Sequence, residues 1–523
     1  MSVLICNQKK AGRNPDREKG GKKKEKLNEK ESHIFLALIT LMGLNIDNKI
    51  LILFLWSFLL LILFSKYDNI DIYMDEIFHI PQAQKFCNGN FIEWDSKITT
   101  FPGLYLLSFI INNVLSYECS VIFLRGINVF LAILWPYYLY QCRRTIFPRE
   151  DEIKDTVIMI TIIILYPVAL FYYFLYYTDT ASVVSITMLY MEFKKAIIDL
   201  DSKSRRNNVR ITRSSHNNII SGSNLPSISM WQFFKLYIFS STAILMRQTN
   251  IVWVAFIGAT GVLDYLKVEV ANGPISSLTM YFHSIFMFIK SLWTKKIEIF
   301  SFLLPLLLPC IACMFFVIMN GSIVLGDKDN HTPVVHLSMM LHPLLILAGM
   351  YGPFSFIDNM KILFKPSSSF INNIIKIMII FIITVFVLLY SVKEHRFLTD
   401  DNRHYTFYIW KYLLQSPYKR LMLSPIYSFA SVTVGIELNK RRGLLWLTFF
   451  FGAMAITLIP APLLEPRYFT TPIVIAFLNT PSRRYTDVLF CIILMVLVNY
   501  YMIDKFINQP FQWPDTSTAR FMP

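Results

Sequence analysis

Long apolar runs alternate with short polar segments along most of this chain. The runs lie at residues 50–64, 101–116, 121–141, 157–176, 180–198, 232–263, 299–319, 334–351, 371–391, 424–436, 444–460, 467–479 and 487–504. A transmembrane helix needs about 20 apolar residues, and many of these runs approach that length. With 232–263 counted as one or two segments, the pattern predicts about 11 to 14 crossings and therefore an all-α polytopic membrane protein.

The polar segments divide the chain into regions. We predict a disordered basic cytosolic tail at 1–31, a first membrane segment at 32–65, a lumenal loop at 66–100, membrane helices at 101–198, a basic cytosolic loop at 199–229, membrane helices at 230–320, a lumenal loop at 321–336, membrane helices at 337–391, a lumenal loop at 392–411, membrane helices at 412–506 and a C-terminal tail at 507–523. The apolar stretch 34–44 is too short to cross alone, and predicts an interfacial helix or an extension of the first span.

Composition agrees with a membrane protein. Hydrophobic residues make up 54% of the 523 residues and charged residues 16%, whereas a soluble domain is about 25% charged. The seven cysteines are scattered and predict no disulfide scaffold. Cys310 and Cys313 form a C-x-x-C pair inside an apolar run, where two small core residues are more common than a metal or redox site.

The net charge of +15 is concentrated in short segments. Residues 9–31 hold ten Lys or Arg against five acids, and residues 199–214 hold five against two. Basic segments beside apolar spans mark the cytosolic ends of those spans. The basic segments therefore indicate which ends of the spans are cytosolic, and they can also attract anionic lipid. They do not indicate nucleic-acid binding.

The other polar loops are expected on the opposite, lumenal side. The sequons at Asn320 and Asn330 agree with that position for 321–336. The segment 101–156 conflicts with this topology, because Arg143 and Arg144 indicate a cytosolic end. The runs 101–116 and 121–141 then cannot both be full crossings. Either one of the runs in that segment is a lumen-surface helix, or the arginines depart from the rule.

Asp75 and Glu76, followed by His79, are the first candidates for chemistry. They lie in the 66–100 loop, where a carboxylate could serve as a general base at the membrane surface. The alternative is a solvated acidic loop. This cluster has neither D-x-D nor H-E-x-x-H spacing, so we predict no metal site.

Several cations lie beside apolar spans: Arg467 next to Glu465, Arg247 in LMRQTNIVW, and Arg403 with His404 in DDNRHY. A planar guanidinium donates two parallel hydrogen bonds to a phosphate, so these groups suggest a lipid phosphate as ligand. The alternative for each is a structural ion pair or a snorkelling anchor. No G-x-x-x-x-G-K-[ST] motif is present, and a donor should therefore enter from the membrane.

The chain resembles one family in six segments that occur in the same order. They are YMDEIFHIPQAQKFCNGNFIEWDSKITTFPGLY at 73–105, YYTD at 176–179, RQTNIVW at 247–253, GDKDNH at 326–331, DNRHYTFYIWK at 401–411 and EPRYF at 465–469. The family is that of the endoplasmic reticulum α-1,2-glucosyltransferases, which add the third, terminal glucose to the dolichol-diphosphate-linked oligosaccharide of N-glycosylation. The resemblance implies a GT-C glycosyltransferase fold, a multi-pass protein of the endoplasmic reticulum membrane, a lumenal active site and no cofactor.

The resemblance also implies ligands and residue roles. The donor is dolichyl phosphate glucose, and the acceptor is Glc2Man9GlcNAc2-PP-dolichol. Asp75 is the general base, by analogy with the acidic residue in the first lumenal loop of GT-C enzymes, with Glu76 as its substitute. The donor phosphate is assigned to Arg467, Arg403, His404 and Arg247. The acceptor and sugar contacts are assigned to His79, Trp94, Tyr405, Trp410 and Asp179. A β-linked glucosyl phosphate that yields an α-1,2 bond requires inversion in one displacement, and so good a leaving group needs no metal.

Three other interpretations remain. A transporter also uses broken helices and buried arginines, but its halves should show inverted repeats, which we do not find in the sequence. Another GT-C transferase that uses a dolichyl phosphate sugar, such as a mannosyltransferase, could share the site. A non-catalytic, channel-regulating membrane protein would keep its role without Asp75.

Overall fold

A computed structural model describes residues 49–68, 70–148, 153–214, 227–267, 278–366, 370–513 and 516–523. The predicted tail at 1–31 and the predicted interfacial helix at 34–44 lie outside these residues. Contacts divide the chain into one unit of residues 1–55 and a second of residues 56–523. The described residues of the first unit are the beginning of helix α1.

The described residues are mainly helical. The first half contains α1 (Lys49–Ser65), α2 (Glu76–Cys87), α3 (Gly103–Leu115), α4 (Val121–Ile146), α5 (Ile153–Ile164), α6 (Pro167–Tyr172), α7 (Thr178–Ser214), α8 (Met230–Met246) and α9 (Asn250–Leu266). The second half contains α10 (Leu278–Thr294), α11 (Lys296–Asn320), α12 (Leu341–Tyr351), α13 (Pro353–Leu363), α14 (Phe370–Tyr390), α15 (Arg396–Thr399), α16 (Tyr405–Ile409), α17 (Pro417–Asn439), α18 (Leu444–Leu458), α19 (Thr470–Leu478) and α20 (Tyr485–Asn508). Shorter elements are 3-10 turns at Asp329–His331, Leu337–Met340 and Pro466–Phe469, a π turn at Trp410–Leu414, and antiparallel strands β1 (Phe511–Gln512) and β2 (Thr518–Ala519).

Five of the described helices are long and apolar enough to cross a membrane: α4, α11, α14, α17 and α20. The bent pair 337–351 and 353–363 can supply a sixth span. Shorter apolar helices of 10–17 residues accompany them. The prediction of an all-α, multi-pass membrane protein is therefore confirmed. The number of about 11 to 14 crossings stays a prediction, because it requires the shorter helices to span the bilayer as well.

The conflict within 101–156 has a geometric solution. Helix α3 has 13 residues, or about 20 Å at 1.5 Å per residue, which is too short for a hydrocarbon core of about 30 Å. Helix α4 has 26 residues and is long enough. If α3 stays on the side of the 66–100 loop, α4 can place Arg143 and Arg144, in its last turn, on the cytosolic side.

The run 232–263 is two helices with a break at Arg247. Helix α8 ends at Met246, and α9 begins at Asn250. Arg247 has an extended backbone, with φ −157° and ψ 124°. The Asn250 side-chain amide donates to the Ala243 carbonyl at 2.7 Å, which satisfies an acceptor near the end of α8.

The predicted basic loop 199–229 is helical in its first part, since α7 continues to Ser214. Ion pairs one helical turn apart support this polar stretch, from Lys203 to Asp199 at 2.8 Å and from Arg205 to Asp201 at 2.8 Å. Helix α10 lies between two predicted apolar runs, within the region 230–320 predicted to hold membrane helices, and α2 lies within the predicted loop 66–100.

Cys87 and Cys119 form a disulfide, so the prediction from scattered cysteines was wrong. They are 32 residues apart in sequence, with Cα atoms 6.4 Å apart. The bond joins the end of α2 to the segment before α4. Only the packing of α2 against its neighbours brings the two thiols together, and spacing alone gave no signal of it.

Candidate active site

The ends of several helices meet around two side chains that are distant in sequence. Asp75 immediately precedes α2, and Arg467 lies in the 3-10 turn before α19. The Arg467 Nη1 atom donates to Asp75 Oδ2 at 2.9 Å. The structure thus brings together the carboxylate and the guanidinium that the sequence singled out.

A second carboxylate fixes the orientation of Arg467. Its Nε and Nη2 atoms both pair with Glu465, and Nη2 lies 3.1 Å from Oε1. The guanidinium also lies over the Tyr177 ring, 5.6 Å from its centroid. Burial lowers the pKa of Arg467, but the charges of Glu465 and Asp75 outweigh burial and raise it overall. Arg467 is therefore a fixed cation.

The Asp75 side chain remains accessible, with 40% of its surface exposed. The surrounding protein raises the pKa of Asp75 by removing water, but the nearby positive groups, with Arg467 first among them, together lower it by more. Asp75 is therefore ionised at neutral pH and able to accept a proton. His79, one turn into α2, is neutral because burial lowers its pKa, and its Nδ1 atom lies 2.5 Å from the Tyr105 hydroxyl.

A cavity of about 200 Å³ opens beside the Asp75–Arg467 pair. Its polar lining consists of Asp75, Tyr172, Tyr177, Asp401, His404, Thr406, Glu465 and Arg467. Its apolar lining consists of Met74, Phe397, Leu398, Leu463, Leu464, Pro466, Met522 and Pro523. A cavity with both kinds of wall suits an amphiphilic ligand. Across the described residues, no group of three or more His, Cys, Asp or Glu side chains is arranged to hold a metal ion.

Glu76 is turned away from this cavity, although it adjoins Asp75. It is fully buried and binds Arg125 through both oxygens, at 2.9 and 2.6 Å. It also accepts the Tyr176 N–H at 2.7 Å. Successive side chains of a helix point about 100° apart, so one can face the cavity while the next holds the helix in place. Glu76 does not lie where a substitute base would have to be, which corrects that assignment.

Arg247 and Asp179 form an ion pair that borders the site. Their Nη1 and Oδ1 atoms are 2.6 Å apart, and Arg247 lies over the Tyr468 ring at 5.1 Å, next to Arg467. Neither residue lines the cavity. Asp179 Oδ2 is buried and has no hydrogen-bond partner in the described part of the chain.

The 392–411 loop brings His404 to the cavity wall but not Arg403. The Arg403 guanidinium binds Asp401 with a two-pronged pair, Nε to Oδ1 at 2.8 Å and Nη2 to Oδ2 at 2.7 Å. Asp401 lines the cavity, and its Oδ2 lies 3.9 Å from His404 Nε2. Arg403 therefore reaches the cavity only through its neighbours, which corrects its assignment to the donor phosphate.

The aromatic residues assigned to sugar stacking pack against other side chains of the protein, and only Trp410 among them is fully buried. Tyr405 stacks on Phe521, with centroids 6.1 Å apart, and Trp410 is only 6% exposed. Trp94 packs against Tyr105 at 5.8 Å. None of the three lines the cavity, so the structure gives no support to a stacking role for them.

A protein-family model, described as the DIE2/ALG10 family, matches residues 69–478. The chain belongs to the DIE2/ALG10 family. The match includes both Asp75 and Arg467, and the family resemblance read from the sequence is confirmed.

Curated proteins similar to this DIE2/ALG10 member match most of its length. A protein of Arabidopsis thaliana is 28% identical over 84% of this chain and 92% of its own length. A protein of Rattus norvegicus is 29% identical over 86% of this chain and 93% of its own length. A protein of Drosophila melanogaster is 29% identical over 79% of this chain and 85% of its own length. Each is named Dol-P-Glc:Glc(2)Man(9)GlcNAc(2)-PP-Dol alpha-1,2-glucosyltransferase.

Two solved structures of an Archaeoglobus fulgidus oligosaccharyltransferase also match. The form tethered with an acceptor peptide has a TM-score of 0.32 and 12% identity, covering 86% of this chain and 54% of that one. The apo form has a TM-score of 0.29 and 13% identity, and the match covers 85% of this chain and 56% of that one. This chain thus spans about half the length of those structures.

Sequence reasoning missed several cavity residues of this DIE2/ALG10 protein. Tyr177 lies in the YYTD segment and Asp401 in DNRHY, so both stood within segments that already carried the family resemblance. Met522 and Pro523 lie in the predicted tail 507–523 and beyond the family match. No local pattern indicated that these last residues return to the cavity.

Proposed function

We propose that this protein transfers glucose from dolichyl phosphate glucose to Glc2Man9GlcNAc2-PP-dolichol and forms an α-1,2 bond by inversion. The similar curated proteins are named for that reaction. The observation that carries the proposal is the contact of Asp75 with Arg467 beside a cavity with polar and apolar walls. Displacement of a lipid phosphate by a sugar hydroxyl needs a base and a cation at close range.

Asp75 acts as the general base in this proposal. It takes the proton from the acceptor hydroxyl while that oxygen forms a bond to C1 of glucose. The bond between C1 and the phosphate oxygen breaks in the same step, and its electron pair leaves with dolichyl phosphate. General-base assistance contributes about 10² to 10⁴ in rate.

Arg467 stabilises the charge that develops on the departing phosphate. In the ligand-free structure, Asp75 contacts Nη1 and Glu465 contacts Nε and Nη2. A donor phosphate would compete with Asp75 for Nη1. Weakening that contact reduces the largest of the interactions that lower the pKa of Asp75, so donor binding makes Asp75 a stronger base. His404, on the same cavity wall, is a second phosphate contact.

The active site is proposed to face the lumen of the endoplasmic reticulum, in a GT-C type of architecture. The Cys87–Cys119 disulfide supports this side, because disulfides persist in oxidising compartments. The basic stretch 199–214 supports it too. It forms the far end of α7, whose first turn carries Asp179 beside the site, and basic segments favour the cytosol.

Microsomes that lack this protein test the reaction. They should accumulate lipid-linked oligosaccharide one hexose short, and the wild-type chain should restore the last glucose. Asp75→Asn should reach the membrane in normal amount yet lower transfer by at least about 10²-fold. Asp68→Asn is the matched control, because Asp68 is exposed in the same loop.

Two results would contradict parts of the proposal. Wild-type turnover in Asp75→Asn would remove Asp75 as the base and would favour a non-catalytic or differently catalysed role. Accumulation of a precursor that lacks mannose, with no loss of glucose transfer, would point to another dolichyl-phosphate-sugar transferase.

A further inference from the structure

Residues 511–513 and 516–523, which we call the clip segment, fold back toward the candidate active site. Strands β1 and β2 in this segment pair as an antiparallel hairpin. The Arg520 guanidinium then donates to the carbonyls of Phe506 and Ile507, at 2.6 and 3.0 Å, near the end of α20. The clip segment is therefore fixed to a helix that is long enough to cross the membrane.

One contact joins the clip segment to the loop that carries Asp75. The Tyr73 hydroxyl accepts the Arg520 N–H at 2.8 Å and donates to the Arg520 carbonyl at 2.9 Å. Tyr73 is buried and its ring packs on Phe506 at 5.9 Å. Since Tyr73 precedes Asp75 by two residues, this contact restrains the backbone that presents the carboxylate.

A second contact joins the clip segment to His404. The Tyr405 N–H donates to the Met522 carbonyl at 3.1 Å, and the Met522 N–H donates to the Arg403 carbonyl at 3.0 Å. The two bonds form a parallel bridge between His404 and Met522. Both of these residues line the cavity beside Arg467.

A third contact explains the position of Arg403. The Arg403 guanidinium lies over the Trp513 ring, 3.7 Å from the centroid, and its N–H groups also donate to Asp401. The Trp513 indole N–H donates to Asn402 Oδ1 at 2.9 Å. A cation held between an aromatic face and a carboxylate stabilises the backbone that leads directly into His404.

We propose that the clip segment is a positioning element of the transfer reaction, which holds the Asp75 loop and His404 on one cavity wall. Arg403 and Trp513 are positioning residues, because they reach the cavity only through Asp401 and His404. This inference rests on the proposed function. Since His404 is the proposed phosphate contact there, loosening the clip segment should weaken binding of the donor more than binding of the acceptor.

Steady-state kinetics of the full-length protein in proteoliposomes tests this proposal. Trp513→Ala and Tyr73→Phe should each raise the KM for dolichyl phosphate glucose by about 3- to 10-fold, the range expected for the loss of one or two hydrogen bonds or a cation–π contact. The KM for the lipid-linked acceptor should stay within about twofold. A partly unfolded enzyme would behave differently, because losing active molecules lowers apparent kcat and changes neither KM.

The variants also have internal controls. Trp513→Phe keeps a ring for Arg403 and should recover most of the donor affinity. Trp231→Ala removes an exposed tryptophan remote in sequence, and Tyr166→Phe removes a buried hydroxyl that lacks a hydrogen-bond partner in the described residues. Both should match the wild type. Because Tyr73 and Trp513 act through one segment, the double variant should raise the donor KM by less than the product of the single effects.

Failure of the inference can be told apart from failure of the proposed function. If the wild type transfers glucose but the donor KM is unchanged in Trp513→Ala and Tyr73→Phe, only the clip proposal is overturned. If the wild type does not use this donor, hydrogen exchange at the Tyr405 and Met522 amides still tests the clip segment. Faster exchange in Trp513→Ala than in Trp231→Ala would support it, and equal exchange would overturn it.

Discussion

The proposed role of Arg467 depends on the planar shape of its guanidinium as well as on its charge. Its fork contacts Asp75 and Glu465 at once, and lysine has one compact ammonium in place of that fork. We expect Arg467→Lys to lower kcat for glucose transfer by about 10²- to 10³-fold, the usual cost of losing one transition-state donor. Purified enzyme with dolichyl phosphate glucose provides the measurement. Arg484→Lys is the control, because Arg484 is exposed in a surface pair with Asp358 and should tolerate the change.

The ionisation of Asp75 sets the acid limit of the reaction. Burial raises the pKa of Asp75, and the nearby positive groups, with Arg467 first among them, together lower it by more, so the folded value lies below the ordinary 3.8. A carboxyl with a lowered pKa stays ionised until the pH falls through that folded value. We therefore expect kcat/KM, which reports the free enzyme, to stay level from about pH 8 down to about pH 5. A fall centred near pH 6 would instead assign control to another group, such as an imidazole.

Residue types singled out Asp75 and Arg467 as site residues, but they did not predict that the two side chains contact each other. A charge beside or within an apolar span needs a partner, which is a strong constraint in a membrane protein. The same constraint applied to Arg125, which interrupts the run 121–141. It indicated that Arg125 needs an acidic partner, and in the structure that partner is Glu76. Which of two adjacent carboxylates faces the cavity depends on the helix start, and residue type does not show that.

At the scale of elements, helix α2 is held by one buried ion pair. Glu76 and Arg125 are both almost completely buried, with Nη2 and Oε2 2.6 Å apart. We expect Glu76→Gln to lower the free energy of unfolding by about 3–5 kcal/mol, because it leaves Arg125 buried without its counter-charge. Thermal unfolding in detergent measures the effect as a fall in Tm. Glu93→Gln removes a solvent-exposed pair with Lys85 in the same loop and should leave Tm unchanged. Equal Tm values for both variants would contradict this account of α2.

The apolar pattern predicted most elements but not their ends. Helix α7 continues through a polar sequence because its own ion pairs support it, and a hydropathy pattern does not register such pairs. Arg247 interrupts the run 232–263 because it binds Asp179, a partner 68 residues away. In both cases ion pairs affected where a helix ends, within the helix for α7 and between distant segments for Arg247.

The whole molecule assembles its site from nearly the full sequence. The cavity takes Asp75 from the 66–100 loop and Arg467 from the turn before α19, and Met522 closes one wall. Sequence motifs identified the first two because chemistry restricts those residue types. The contacts of the clip segment join residues far apart in sequence, and one of them, the bridge at Met522, uses backbone groups that any residue can supply, so no local pattern indicated them.

Sidedness is the property of the whole molecule on which the proposed reaction depends. Ile92 is 95% exposed in the 66–100 loop, and Trp231 is 70% exposed near the basic loop 199–229. If the positive-inside rule holds, these positions lie on opposite sides of the bilayer. A membrane-impermeant maleimide should label Trp231→Cys in intact microsomes, and should label Ile92→Cys only after permeabilisation. The unsubstituted chain controls for the native cysteines. Labelling of Ile92→Cys in sealed vesicles would place Asp75 on the cytosolic side and rule out a lumenal reaction.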